Sequence, residues 1–206
     1  MNYVEIKYYK IRADFKYAEK GRFYRVFLVK ENANLREMGE FIVEIFGGEL
    51  EHMFLYRLKG NRSYLPESWI EYWNFFSRAE NEPFNKKTVE DLPDTFTFEY
   101  DTGDGWDFNC KIYKKPVIKE IDDDGDIPFG FVLDAKGMGI WEDEIYTLYA
   151  YLEGKIDKDF DGEDEENGIY KPWNFEIDKY SEFDDPVDLE ELNETAMNFI
   201  PLDDVY

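Results

Sequence analysis

Apolar and polar residues alternate with a period of two on both sides of a short loop between Phe96 and Tyr113. On the first arm Phe96, Phe98 and Tyr100 take one face, and Thr95, Thr97 and Glu99 take the other. On the second, Trp106, Phe108, Cys110 and Ile112 alternate with Asp107, Asn109 and Lys111. A strand sends successive side chains to opposite faces, so each arm predicts a strand with one buried face. The link Asp101-Thr102-Gly103-Asp104-Gly105 holds two glycines and two aspartates that tolerate left-handed backbone. Together these features predict a central β-hairpin over residues 95–113.

Upstream, residues 3–15 predict a strand whose apolar register shifts between Tyr8 and Tyr9, the mark of a bulge. Residues 23–29 are apolar on both alternations, which predicts a strand covered on both faces. Asn34 followed by Glu37 forms a capping box, Leu35, Met38, Ile42 and Ile45 follow at helical spacing, and Gly47-Gly48 ends the helix. A third strand is predicted over residues 52–58, then a turn at 59–63. A helix opens at Pro66, with Trp69, Trp73 and Phe76 as an aromatic stripe expected to face the core. Val89 and Leu92 should anchor the connector between Pro83 and Pro93. Beyond the hairpin come an acidic loop at 122–126, a short strand at 129–133 and a turn at 134–139. A helix with Ile145, Leu148, Tyr149 and Leu152 inward ends at Gly154, and a last helix starts near Asp185-Pro186.

Strands in antiparallel-compatible spacing, with helices inserted between them and gathered towards the end, predict an α+β fold. The expected architecture is a mainly antiparallel sheet with helices packed on it. One domain is expected over 1–206, with its core in 1–154 and an acidic loop and C-terminal helical extension in 155–206.

Charge narrows the partners. The chain has 48 acidic and 24 basic residues and a net charge of −24. Such a field repels phosphate backbones, so nucleic-acid binding is not expected. The single cysteine, Cys110, falls on the apolar arm of the hairpin and reads as a core residue. The N-terminal residues have no apolar signal region, and no apolar run is long enough to span a bilayer, which predicts a cytoplasmic protein.

Candidate chemistry is sparse. His52 alternates with Phe54, Tyr56 and Leu58, which predicts a core-facing imidazole; as a functional group it would serve as general acid or base. Asp101 and Asp104 either shape the loop through backbone N–H groups or form a carboxylate pair beside Trp106, with Trp141, Glu142 and Asp143 opposite. In the second case His52, Asp101, Asp104, Trp106, Trp141, Glu142 and Asp143 would form one acidic, aromatic-walled surface site. Asp157, Asp159 and Asp161 match half of a calcium loop, but Gly168 stands where a bidentate glutamate belongs. One histidine and one cysteine cannot make a zinc site without several carboxylates. No cofactor is expected.

Several segments taken together resemble the plasmid pRiA-type open-reading-frame-three family, also labelled a transposon-passenger "resolvase-like" family. They are residues 22–29, Leu35 to Gly48, His52-Met53-Phe54-Leu55-Tyr56, Tyr100-Asp101-Thr102-Gly103-Asp104-Gly105-Trp106 and Gly137-Met138-Gly139-Ile140-Trp141-Glu142-Asp143. The resemblance implies an α+β fold in a plasmid or mobile-element setting, without an assigned reaction. It also marks departures: relatives often carry a histidine where Phe54 stands, another after the tryptophan near Phe108, and a cysteine in the segment after Asp143. The four serines, Ser63, Ser68, Ser77 and Ser181, lack the arginine-rich setting a serine recombinase needs. The expected function is a binding or protein-interaction module for a protein or small ligand. The alternative is a hydrolase-like enzyme using the clustered carboxylates with or without a divalent cation.

Overall fold

The computed structural model describes residues 3–122, 126–140, 145–155 and 185–202. Eight strands form one sheet in the order β5-β4-β3-β6-β7-β1-β2-β8. They are β1 (Tyr3–Phe15), β2 (Tyr24–Lys30), β3 (Phe54–Leu58), β4 (Arg62–Leu65), β5 (Glu80–Pro83), β6 (Thr95–Tyr100), β7 (Trp106–Asp122) and β8 (Gly130–Lys136). Every neighbouring pair is antiparallel except β4 with β5. The helices are α1 (Leu35–Ile45), α2 (Ile70–Phe76), α3 (Ile145–Leu152) and α4 (Leu189–Asn198). The fold is α+β.

The hairpin is central. β6 and β7 pair in the predicted register, with Phe96 opposite Cys110, Phe98 opposite Phe108 and Tyr100 opposite Trp106. These six side chains, with Phe54, Tyr56, Ile11, Ala13, Phe27 and Val29, make one buried face of the sheet. β7 runs nine residues past the expected hairpin end, because its distal half pairs with Tyr3–Tyr8 of β1. The register shift expected after Tyr8 is present, with Tyr8 opposite Val117 and Lys10 opposite Tyr113.

Helix α1 lies over the buried face. Asn34 accepts from Glu37 N–H at 2.9 Å, Asn34 N–H donates back to the Glu37 carboxylate, and Gly47 leaves the helix with φ 76°. Met38, Phe41, Ile42 and Ile45 are fully buried, each contributing about 1.5–3 kcal/mol relative to exposure. The helix sits close because Gly39 faces Phe54; a Cβ there would run into the ring.

Arg25 fixes the far end of α1. It is buried, and its Nε donates to Ile45 O at 3.0 Å, in the last turn of the helix. Its other nitrogens donate to the carbonyls of Tyr24, Lys136, Gly137 and Met138 at 2.9–3.0 Å. Burial lowers its pKa to about 10, still a cation at neutral pH.

Both sheet edges are blunted. Val132 N–H at the β8 edge donates to Asn193 Oδ1 of α4 at 3.0 Å, and β5 is only four residues long and ends in Pro83. No described helix is long and apolar enough to cross a membrane.

The main departures from expectation are local. β4 starts inside the predicted turn, β5 was not foreseen, and β8 continues through the predicted turn to Lys136. The last helix begins at Leu189 with Asp188 as its cap, three residues after Pro186, and Leu189 is exposed.

Two predictions follow from the buried charges. Replacing Arg25 with alanine leaves five carbonyls without their donor, so urea melts should show a loss of about 3–5 kcal/mol. Glu40 on α1 is also fully buried; burial raises its pKa, partly offset by Leu202 N–H at 3.1 Å and by Arg36. A raised carboxyl pKa means the folded state holds the proton more tightly. The stability this gives is complete below the ordinary glutamate pKa and is lost as pH rises through the folded value. Glu40→Gln should therefore gain stability relative to wild type as pH rises above the ordinary glutamate pKa of about 4.3, read as the difference in melting temperature.

Candidate functional site

The hairpin loop is shaped by Asp101. Its backbone is left-handed at φ 48°, and its Oδ1 accepts from Gly103 N–H at 3.0 Å and Asp104 N–H at 3.3 Å. An aspartate bonded to donors two and three residues on forms an Asx-type turn. Gly105, at φ 83°, returns its N–H to Asp101 O at 2.6 Å. Asp101 N–H donates to Met53 O at 3.0 Å, which ties the loop to the segment carrying His52.

His52 enters from a bend before β3, because pairing with β6 begins only at Phe54 opposite Tyr100. Its side chain is 33% exposed, so it is not the core-facing imidazole expected from alternation. Nδ1 lies 3.7 Å from Asp101 Oδ1, and the ring stands edge-on to Tyr100 at 6.1 Å. The structure thus brings His52 and Asp101 together, with the carboxylate already engaged by two loop N–H groups.

Trp106 does not wall a surface site. It is fully buried against Phe15 at 5.5 Å, on the hairpin's apolar face, and its Nε1 has no hydrogen-bond partner among the described residues. Trp141, Glu142 and Asp143 lie outside the described residues, as do Asp157, Asp159 and Asp161. Helix α3, which begins at Ile145, reaches the loop through Tyr149 Oη, which donates to Gly105 O at 3.4 Å. Burial pushes the Tyr149 pKa up. Among the described residues, no group of three His, Cys, Asp or Glu side chains is placed to hold a metal ion. Cys110 is buried and burial raises its thiol pKa, so it is a packing residue.

The aromatic stripe of α2 also corrects an expectation. Only Trp73 turns towards the sheet, its ring 5.9 Å from the Arg57 guanidinium. Trp69, Tyr72, Phe76 and Phe75 are 39%, 54%, 66% and 83% exposed. Their rings touch one another, with Trp69–Tyr72 at 5.5 Å, Tyr72–Phe76 at 4.7 Å and Phe75–Phe76 at 5.0 Å. Sequence reasoning missed this surface because the stripe's spacing suits a helix, but spacing does not say whether anything covers it. The one available signal was the adjacency of Phe75 and Phe76, which cannot both face one core.

Comparison with known proteins gives the family. Residues 7–190 match the family described as plasmid pRiA4b ORF-3-like protein. The chain belongs to that family. No curated protein sequence matches it. In fold it is similar to the crystal structure of a protein of unknown function, MM3350 from Methanosarcina mazei Go1. The two are 15% identical with a TM-score of 0.54, and the match covers 76% of this chain and 84% of that one.

Within this pRiA4b ORF-3-like chain, Phe54 and Phe108 pack in the aromatic core, with Phe54 stacked on Phe84 at 5.3 Å and Phe108 against Phe46 at 4.3 Å. These positions serve packing here. Asp101 can be tested for the same kind of role. Asp101→Asn keeps an acceptor oxygen and the tolerance for left-handed backbone, so it should stay within about 0.5 kcal/mol of wild type in urea melts. Asp101→Ala loses both loop bonds and should cost about 1–3 kcal/mol.

Proposed function

We propose that this family member is a protein-interaction module whose docking surface is the aromatic face of α2 and whose partner is a basic, partly apolar polypeptide. The observation that carries this reading is the contiguous cluster of Trp69, Tyr72, Phe75 and Phe76, exposed at the edge of the sheet. Large aromatic side chains held on a helix lose little entropy on binding and dominate interface energetics. The charge around them supports a cationic partner. Glu67 and Glu71, one helical turn apart, flank the aromatic rings, and Glu80 is exposed just beyond them. Lysine and arginine side chains gain from both the carboxylates and the ring faces. The net charge of −24 would steer such a partner inward and speed its association.

The test uses a labelled amphipathic peptide of lysine and leucine, and a glutamate-leucine peptide of the same length. The basic peptide should bind, and Tyr72→Ala with Phe75→Ala should weaken it at least about 10-fold with no loss of melting temperature, since both side chains are exposed. Glu67→Lys with Glu71→Lys should slow association and reduce its salt dependence. Equal binding of the two peptides, or no effect of the aromatic substitutions, would overturn the proposal.

A further inference from the structure

The sheet face turned away from α1 carries a surface of opposite charge. Side chains alternating out of the core line a groove of about 570 Å³ over β3, β6, β7 and β1. Its charged lining is Arg12, Lys20, Arg57, Lys59 and Lys111 against the single carboxylate of Asp14. In the whole chain acids outnumber bases 48 to 24; in the groove bases outnumber acids five to one. Strand register produces the arrangement. Arg57 stands opposite Thr97, Thr97 opposite Asn109, and Asn109 opposite Asp14. In the next row Thr95 stands opposite Lys111 and Lys111 opposite Arg12. Neighbouring strands lie roughly 4.8 Å apart, so each row spans one small ligand.

Part of this charge is already answered. Asp14 takes a bidentate pair from Arg12 at 2.7 and 2.6 Å, and Glu99 takes one from Arg57. These two pairs fix the guanidinium groups in place. Lys20, Lys59 and Lys111 have no carboxylate within ion-pair distance among the described residues, and Thr95, Thr97 and Asn109 make no side-chain hydrogen bond there. Three ammonium groups without a carboxylate partner, that of Lys111 lying over the Tyr113 ring at 5.0 Å, therefore share one concave surface with three unused polar side chains.

We infer that this groove binds a small, multiply charged oxyanion of the phosphate class. Lys59 and Lys111 supply the charge, and Thr95, Thr97 and Asn109 supply hydrogen bonds. A small ligand is favoured over a polymer by the range of the forces. Charges act over roughly 8 Å at physiological ionic strength, so a compact anion in the groove feels mainly the groove's cations. A long polyanion would lie along the acidic remainder of the surface as well. This site is independent of the α2 surface, since it takes ligands of the opposite charge.

The probe is inorganic tripolyphosphate, titrated calorimetrically at physiological ionic strength, with single-stranded oligothymidylate and polyglutamate alongside. Tripolyphosphate should bind with a dissociation constant below about 1 mM, and nitrogen–proton spectra should place the shifts at Asn109 and Lys111. Lys59→Ala with Lys111→Ala should weaken binding at least about 10-fold without lowering the melting temperature of the free protein. Lys86→Ala, in the segment packed beside α1, should leave it unchanged. Absence of tripolyphosphate binding would overturn the inference, as would equal weakening by Lys86→Ala. Binding of oligothymidylate or polyglutamate alone would overturn it too, in favour of a macromolecular anion.

Discussion

A buried guanidinium that no carboxylate of the described residues answers holds three parts of this chain together. Arg25 reaches from β2 to the last turn of α1 and to the carbonyls that follow β8. Its counter-charge is made of backbone dipoles, one carbonyl at the negative end of α1 and four from β2 and the end of β8. Phe46 lies against the guanidinium at 4.9 Å, so the ion is screened from water as well as bonded. An arginine suits this place because its planar fork offers five donors in fixed directions, whereas a lysine offers three. The position of α1 over the aromatic face depends on this clasp, and the division of the sheet into a closed and an open side depends on α1.

That division organises the surfaces. The closed side is packed with rings that meet edge-on or tilted, such as Tyr56–Phe98 at 5.4 Å and Phe23–Phe46 at 5.6 Å. The open side keeps the alternate residues of the same strands, and these include a concentration of bases. A strand that buries phenylalanine at one position turns the next to the opposite face of the sheet, so the cationic groove and the core are two readings of one alternation. Acids stand on this side too, where Asp14 and Glu99 pair with Arg12 and Arg57 and Asp107 pairs with Lys16.

Local signals were legible because their causes are local. The hairpin over β6 and β7, the capping box at Asn34 and the burial of Cys110 all follow from neighbours within a few residues. The illegible parts were decided at a distance. β5 is a polar run that becomes a strand only because β4 offers it an edge, and β7 runs on to Asp122 only because β1 pairs with it. At the candidate site, the link between Asp101 and its loop was readable from residue type. Trp106 is buried as the hairpin alternation predicts, and that burial keeps it from walling a surface site. The exposure of α2 could not be read from its spacing, since a seven-residue helix at a sheet margin has only one side for packing.

The contact between Asn193 and Val132 has a consequence for the state of the protein in solution. A free backbone donor on the outermost strand of a twisted sheet is a place where another chain can add itself, and each addition renews the same offer. Here a side-chain amide from α4 occupies that place, and the helix lies along the strand. Closure of a barrel removes such an opening by joining the ends; here α4 blocks it at Val132. The segment that looks most like an appendage is therefore the one that covers the β8 edge at Val132.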